Sequence, residues 1–283
     1  MYILGFGKAF PTHLLDDKRA TSLPLPYIKE TKNIPIKNAL MHAINSPSEI
    51  GEAAVRNAIE NSKVSLEEIT YFIGDTATPW ETCPSEAQRV AGRLGLKVPS
   101  YDVTGIGCAL SASLFALTRW SDVPSLIAWV SSNLLTQVVD FSDGAEKDVF
   151  GDGASACIIS ADKKQGFKVE KVEYTLNHSS KFIIEQDLFG GIKIKSLPTS
   201  EELKKEFEQF LPSNFVGPIV APPILEKQIS PWGEVVSHKH GELLGSNSCV
   251  TLSEIDLPVG GQVMVLEKSG GGGTGLILLR RVS

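Results

Sequence analysis

Residues 99–114 read PSYDVTGIGCALSASL, which sets a cysteine, Cys108, after a short strand-like run and a Gly-x-Gly turn. An apolar helix begins at that cysteine. A thiol so placed meets unpaired backbone N–H groups and the positive end of the helix dipole, both of which favour the nucleophilic thiolate. Gly105, Gly107 and Ala109 are small and leave room for a substrate to approach. The same residues equally describe an inert cysteine filling space beside a helix start. Cys157 in ASACIIS and Cys249 in SNSCVTL lie within apolar runs and read as structural, while Cys83 in the polar stretch ETCPSE is undecided. These four cysteines show no paired metal-ligand spacing, so free thiols in a reducing cytoplasm are expected.

Elements that would position such a thiol have to come from a chain of ordinary composition. It has 283 residues, 42% hydrophobic and 21% charged, so two related halves or one large domain are both open. The net charge of −6 and the lack of any Lys/Arg cluster argue against DNA or RNA as a partner. No apolar run reaches membrane-spanning length, and the start MYILGFGKAF lacks the basic flank and cleavage site of a signal peptide. A cytoplasmic protein without a membrane span is the expectation.

Strands and helices alternate along the chain. SPSEIGEAAVRNAIENS predicts a helix opened by a capping box of Ser46 and Glu49, with Pro47 at its first position. Its apolar face is Ile50, Ala54, Ala58 and Ile59. A second box, Ser65 with Glu68, precedes the strand-like EITYFIGDTAT. PSEAQRVAGRLGL predicts a helix, SYDVTG a strand, and CALSASLFALTRW a helix with Leu110, Leu114 and Leu117 on one stripe. SLIAWVSSN reads as a buried strand, and DVFGDGASACIIS as strand, Gly-rich turn, strand. The second half repeats the order. FVGPIVAPP is similar to ITYFIGDTATP, and GGQVMVLEKSGGGGTGLILLRR is similar to KDVFGDGASACIIS. ADKKQ, residues 161–165, is the expected link between halves, and the polar stretch from Val172 to Phe215 reads as a surface insertion.

Three segments carry a resemblance to a known family. PSEAQRVAGRLGLKVPSYDVTGIGCALSASLFAL resembles the nucleophile segment of thiolase-fold condensing enzymes of the ketoacyl synthase III group. VFGDGASACIIS is similar to that group's FGDGAGA segment, and EKSGGGGTGLILLRR to its C-terminal Gly-rich turn and last strand. The segments occur in the family's order over nearly the whole chain. The resemblance implies an α/β, thiolase-like fold of two similar βαβαβ halves in a layered α-β-α-β-α core, with halves at 1–163 and 164–283. It also implies an acyl thioester on Cys108, an oxyanion hole from the N–H groups of Cys108 and Gly271, and a homodimer or a heterodimer with a homologue. The substrate would be an acyl-CoA or an acyl carrier protein thioester, with no further cofactor.

The departures from the family pattern are as specific. Where the family has Val-Pro-His-Gln-Ala-Asn, this chain has IVAPPIL, with Pro222 at the histidine position. Where the family has His-Gly-Asn-Thr-Ser, it has His240-Gly241-Glu242, with Glu242 at the asparagine position. In the family, that His and Asn donate hydrogen bonds to the enolate left when a malonyl group loses carbon dioxide. Proline has no donor, and an ionised glutamate repels an enolate. The candidates for a replacement base are Glu242, His238, His240 and Glu81, the last lying where the family reaches across a dimer. Lys227 stands where the family has a basic carrier-docking residue. The family's early Trp and Thr-Gly-Ile-Arg segment are both missing from LPLPYIKETKNIPIKNALMH, residues 23–42. Two readings follow: a condensing enzyme or acyltransferase that serves a non-standard acceptor, or a weakly active subunit that supports an intact homologue.

Overall fold

The computed structural model describes residues 1–11, 13–14, 40–41, 46–138, 149–178, 180, 182–186, 192–212 and 215–283. Its first half comprises β1 (Tyr2–Ala9), the small pair β2 (His13–Leu14) and β3 (Leu40–Met41), α1 (Pro47–Ser62), β4 (Tyr71–Asp75), α2 (Glu86–Arg93), β5 (Ser100–Asp102), α3 (Ala109–Leu117), β6 (Leu126–Leu134) and β7 (Asp152–Ser160). After residues 161–166 come β8 (Phe167–Leu176), β9 (Ile183–Gln186), β10 (Ile192–Ser196), α4 (Ser200–Phe207), β11 (Ile219–Val220), α5 (Glu226–Ile229), β12 (Val235–Val236), α6 (Asn247–Leu252), β13 (Gln262–Lys268) and β14 (Gly273–Arg281).

Ten strands form one sheet in the order β12-β11-β13-β14-β8-β1-β7-β6-β4-β5. Read outward from the centre, its two sides are β1-β7-β6-β4-β5 and β8-β14-β13-β11-β12. Each side therefore runs first, last, fourth, second, third strand of its own series. The sense of each pairing also repeats: β4 is parallel to β5 and β6, and β11 to β12 and β13, while the β6–β7 and β13–β14 pairs are antiparallel. The sides join where β1 meets β8 at Tyr2↔Lys168 and Ile3↔Phe167.

The period-two alternation of the strands fixes the layers. Along β6, Ile127 and Trp129 join one cluster while Leu126, Ala128 and Val130 join another. On β13, Val263 and Val265 face the first cluster, and Met264 and Leu266 a third. The first cluster lies between the two sides and holds Leu110, Leu114 and Leu117 of α3 with Cys249 and Leu252 of α6. Helices α1 and α2 cover the outer face of one side, and α4 and α5 that of the other. Five layers result, with α3 and α6 in the middle.

Several local expectations are corrected. Ser46 makes no side-chain cap on α1; its hydroxyl bonds Ser48 Oγ at 2.8 Å and its carbonyl takes the Glu49 N–H. The second box does form, with Ser65 N–H donating to Glu68 Oε2 at 2.8 Å. Immediately ahead of β7, residues 149–151 form no strand, only the bridge Phe150↔Glu242. The counterpart of β13 is thus β6, far upstream. The stretch from Val172 is no surface insertion: β8 runs on to Leu176, and Leu203 and Phe207 of α4 are fully buried in the third cluster. SLIAWVSSN, by contrast, is the buried strand expected, β6, paired with β7 and β4; among the described residues the open edge on this side is β5.

Candidate functional site

Cys108 caps α3 and is fully buried in the middle layer. The turn before it is wound tightly, with Ile106 at φ 34° and Gly107 at φ 102°. A Cβ on Gly107 would stand 2.6 Å from the Lys268 carbonyl oxygen, and one on Gly105 2.6 Å from the Ala109 nitrogen. These small residues therefore serve close backbone approach rather than leaving room for a substrate. The turn is pressed against the end of β13. Across from it, a Cβ on Gly273 would lie 3.5 Å from the Cys108 Sγ, and the Gly275 backbone is near enough to favour the thiolate.

The expected preference for thiolate is overturned. Burial pushes the Cys108 thiol well above its ordinary range, and the nearby Glu267 carboxylate adds to this, while Lys268 opposes it. Glu267 also takes the helix terminus that the thiolate was to enjoy. Its Oε2 accepts the Ser111 N–H of the first turn of α3 at 2.9 Å, and its Oε1 accepts from Ser248 Oγ of α6 at 2.5 Å. Desolvation raises Glu267 to about 7. Asp75, raised to about 6 mainly by burial, accepts from Ser131 Oγ at 2.7 Å and from the Gly105 N–H at 3.3 Å. Lys268 points to the opposite face of β13 and is fully buried. Its Nζ lies 2.7 Å from Glu206 Oε2 on α4 and donates to the Gly273 carbonyl at 3.1 Å and to Thr274 Oγ1 at 2.9 Å, pinning the glycine turn.

The two amides expected to form an oxyanion hole are engaged within the chain. Cys108 N–H donates to the Gly105 carbonyl at 3.1 Å, and Gly271 N–H to Ser269 Oγ at 3.1 Å.

Glu242 is 2% exposed, and burial raises its carboxyl to about 7. Its Oε1 accepts from Leu244 N–H at 2.9 Å and from Asn247 Nδ2, and its Oε2 from Ile224 N–H at 3.5 Å. The last contact brings the carboxyl to the turn that starts at Pro222, so the two departures from the family pattern meet in space. Asn247 Oδ1 in turn accepts from Leu243 N–H at 2.9 Å and faces His238 Nε2 at 2.9 Å. Because His238 Nδ1 accepts the His240 N–H at 3.3 Å, the ring proton sits on Nε2 and is donated to Asn247. Desolvation lowers His238 to about 4, so it is neutral. Both ring nitrogens of His238, a candidate base, are thus engaged within the chain.

Of the other predicted residues, His240 borders this network, while Glu81 and Lys227 lie on the surface. His240 stacks on Phe10 with ring centroids 4.0 Å apart and lies 3.5 Å from Glu254 Oε1. Glu81 is exposed and ion-paired with Arg89 of α2. Lys227 is exposed on α5, and residues 23–39 and 42 of the entrance stretch lie outside the described residues. An open cleft of about 270 Å³ lined by Lys8, Asn57, Glu60, Asn61 and Ser253 shares no residue with the surroundings of Cys108. Asp75, Glu267, Lys268 and Asn247 escaped the sequence reading. Their one signal was polarity at the ends of apolar runs: YFIGD, VMVLEK and LLGSN.

No protein-family profile matches the chain. Among curated proteins it is 27% identical over 185 residues to a β-ketoacyl-[acyl-carrier-protein] synthase III of Rhodospirillum centenum, covering 62% of this chain. The chain spans about half the length of the curated relatives it matches, 56% in that case. Among solved structures it superposes on 3-oxoacyl-[acyl-carrier-protein] synthase III from Aquifex aeolicus with a TM-score of 0.79 at 20% identity, covering 99% of both chains. OleA of Xanthomonas campestris, solved with lauric acid and lauroyl-CoA, gives 0.74 at 15% identity over 99% of this chain and 98% of that one. The fold is the thiolase-like α/β fold of these enzymes.

Proposed function

We propose that the chain is a ketoacyl synthase III-like acyltransferase of fatty-acid or polyketide-type biosynthesis, with functional halves at 1–163 and 164–283. It takes an acyl group from an acyl-CoA or acyl carrier protein thioester onto Cys108 and passes it to a non-standard acceptor. The observation that carries this reading is the placement of Cys108: a cysteine at the head of the central helix, set by Gly107 against β13 and by Gly273 and Gly275 against β14. In the loading step Sγ bonds to the acyl carbonyl carbon, the carbonyl–sulfur bond of the carrier breaks, and the thiol proton ends on the departing thiol. The second reading, a subunit that supports an intact homologue, draws on the burial of the thiol and on the internal engagement of the Cys108 and Gly271 amides.

Intact-protein mass spectrometry after incubation with a panel of acyl thioesters separates the two. The enzyme reading expects an acyl adduct that Cys108→Ala abolishes and that Cys157→Ala and Cys249→Ala retain. An unmodified mass with every thioester, with and without a homologous partner, leaves only the second reading.

A further inference from the structure

The chain His238–Asn247–Glu242 ends on an oxygen that the protein hardly uses. Glu242 Oε1 takes two hydrogen bonds, whereas the one partner of Oε2 among the described residues is the Ile224 amide at 3.5 Å, the far limit of such a bond. The groups acting on the carboxyl are the amides of Asn247, Leu244 and Ile224 and no charged side chain; His240, Glu254 and Lys8 act on His238 at the other end. The loop that carries Glu242 also adjoins the cysteine turn. A Cβ on Gly245 would lie 2.0 Å from Asp75 Oδ2, and Asp75 Oδ1 holds the Gly105 N–H. Carboxyl and thiol therefore belong to loops that share one buried aspartate.

This arrangement suits one class of acceptor. A decarboxylating malonyl thioester needs donors for its enolate, and Pro222 has none while an ionised Glu242 repels it. An amine arrives as an ammonium and would be held as an ion pair. A hydroxyl arrives neutral, with a proton to give.

We propose that Glu242, oriented by Asn247 and His238, takes the proton of a hydroxyl acceptor in the second half-reaction, so that the acyl group leaves Cys108 as an ester. The proposal rests on the formation of acyl-Cys108 argued above. The acceptor oxygen bonds to the thioester carbonyl carbon as its proton passes to Oε2. The carbon–Sγ bond then breaks, and the proton moves from Oε2 to the Cys108 thiolate. Asn247 and His238 are positioning residues: one holds Oε1, which leaves Oε2 with only its long Ile224 contact, and the other fixes the amide of Asn247.

The test loads the full chain with acetyl-CoA, records the mass of acetyl-Cys108, and then adds n-butanol, n-butylamine or malonyl-CoA. Butyl acetate forms, at a rate that rises with pH through about 7, where Glu242 loses its proton. Glu242→Gln lowers this rate about a hundredfold. Asn247→Leu removes a donor to the carboxylate and moves the midpoint of the pH profile upward, which a purely structural role would not do. Failure to load overturns this proposal together with the reading beneath it. Acetyl-Cys108 that yields only N-butylacetamide, only acetate, or carbon dioxide from malonyl-CoA overturns this proposal alone, and needs no variant to be seen.

Discussion

A thiol that attacks carbonyl carbon must first lose its proton, and the charges around Cys108 are arranged against that loss. Burial and Glu267 oppose the thiolate, while Lys268 and the Gly275 backbone favour it. Alkylation of Cys108 by iodoacetamide is therefore expected to be slow at neutral pH and to climb steadily through the alkaline range. Glu267→Gln removes the repelling charge and should speed labelling several-fold at a fixed alkaline pH. Peptide mass spectrometry of the labelled residue checks both, and an unchanged rate in the variant would show that burial alone holds the proton. A second buried acid gives a stability test away from the site. Glu86, bonded to Ser132 Oγ at 3.1 Å, is raised by burial from 4.5 to about 7. Its contribution is fully present below about 4.5 and is lost as the pH rises through about 7. Glu86→Gln should thus match the wild type in acid and gain on it by on the order of 2–3 kcal/mol above neutrality, read as the difference in Tm across pH. Neither acid was legible in the sequence, because a glutamate at the end of an apolar run (Glu267) or at a polar helix start (Glu86) looks the same whether it is buried or solvated. Cys108 was legible, because a Gly-x-Gly turn ahead of a helix names the place of the thiol even though it says nothing of its charge.

At the scale of elements, the turn that carries Cys108 depends on a conformation and a clearance that only glycine combines. Gly107→Ala would strain φ 102° and set a methyl group 2.6 Å from the Lys268 carbonyl. A loss of about 1–3 kcal/mol is expected from the backbone alone, together with loss of acyl loading, since Sγ moves with the turn. Gly92→Ala is the control. A Cβ on Gly92 meets nothing within 4 Å in α2, so a rise in stability of about 0.5–1 kcal/mol is expected. Thermal denaturation of both variants decides it; a Gly107→Ala protein that loads normally would detach the turn from the chemistry. The same contrast explains what the sequence disclosed. Helix α1 was readable because its burial follows the helical period, and β6 and the β13–β14 hairpin because they are apolar runs buried along most of their length. Phe150 was misread as strand because its pairing is an isolated bridge to Glu242, remote in sequence, and its burial comes from a small apolar cluster with Ala77, Leu135, Ile192 and Leu244. Helix α4 was misread as surface because its buried pair, Leu203 and Phe207, is outnumbered by charges on the solvent side.

The whole molecule repeats one strand order about the β1–β8 junction, and that repeat determines which edges stay open. Among the described residues, β5 and β12 of the large sheet have a neighbour on one side only. An open edge leaves backbone donors and acceptors for a second chain to satisfy. The β5 edge is the better prepared of the two. Tyr101 on it packs edge-on against Tyr71 at 5.7 Å, and Asp102 caps α2 by accepting the N–H groups of Glu86 at 2.9 Å and Ala87 at 2.7 Å. Strand and helix are thereby locked into one face. The loop carrying Glu81 joins that face through the ion pair with Arg89 of α2. Two copies related by a twofold axis would pair β5 with β5 and bring each Glu81 loop toward the other subunit. An obligate dimer is therefore expected, with a light-scattering mass about twice 30.5 kDa at micromolar concentration. If the loop reaches the partner's site, Glu81→Ala lowers acyl transfer without altering the dimer mass. Arg89→Ala, which frees the same carboxylate from its intrachain partner, should then leave transfer intact or raise it. A stable monomer would remove the pairing of β5, and equal turnover in wild type and Glu81→Ala would confine Glu81 to its bond with Arg89.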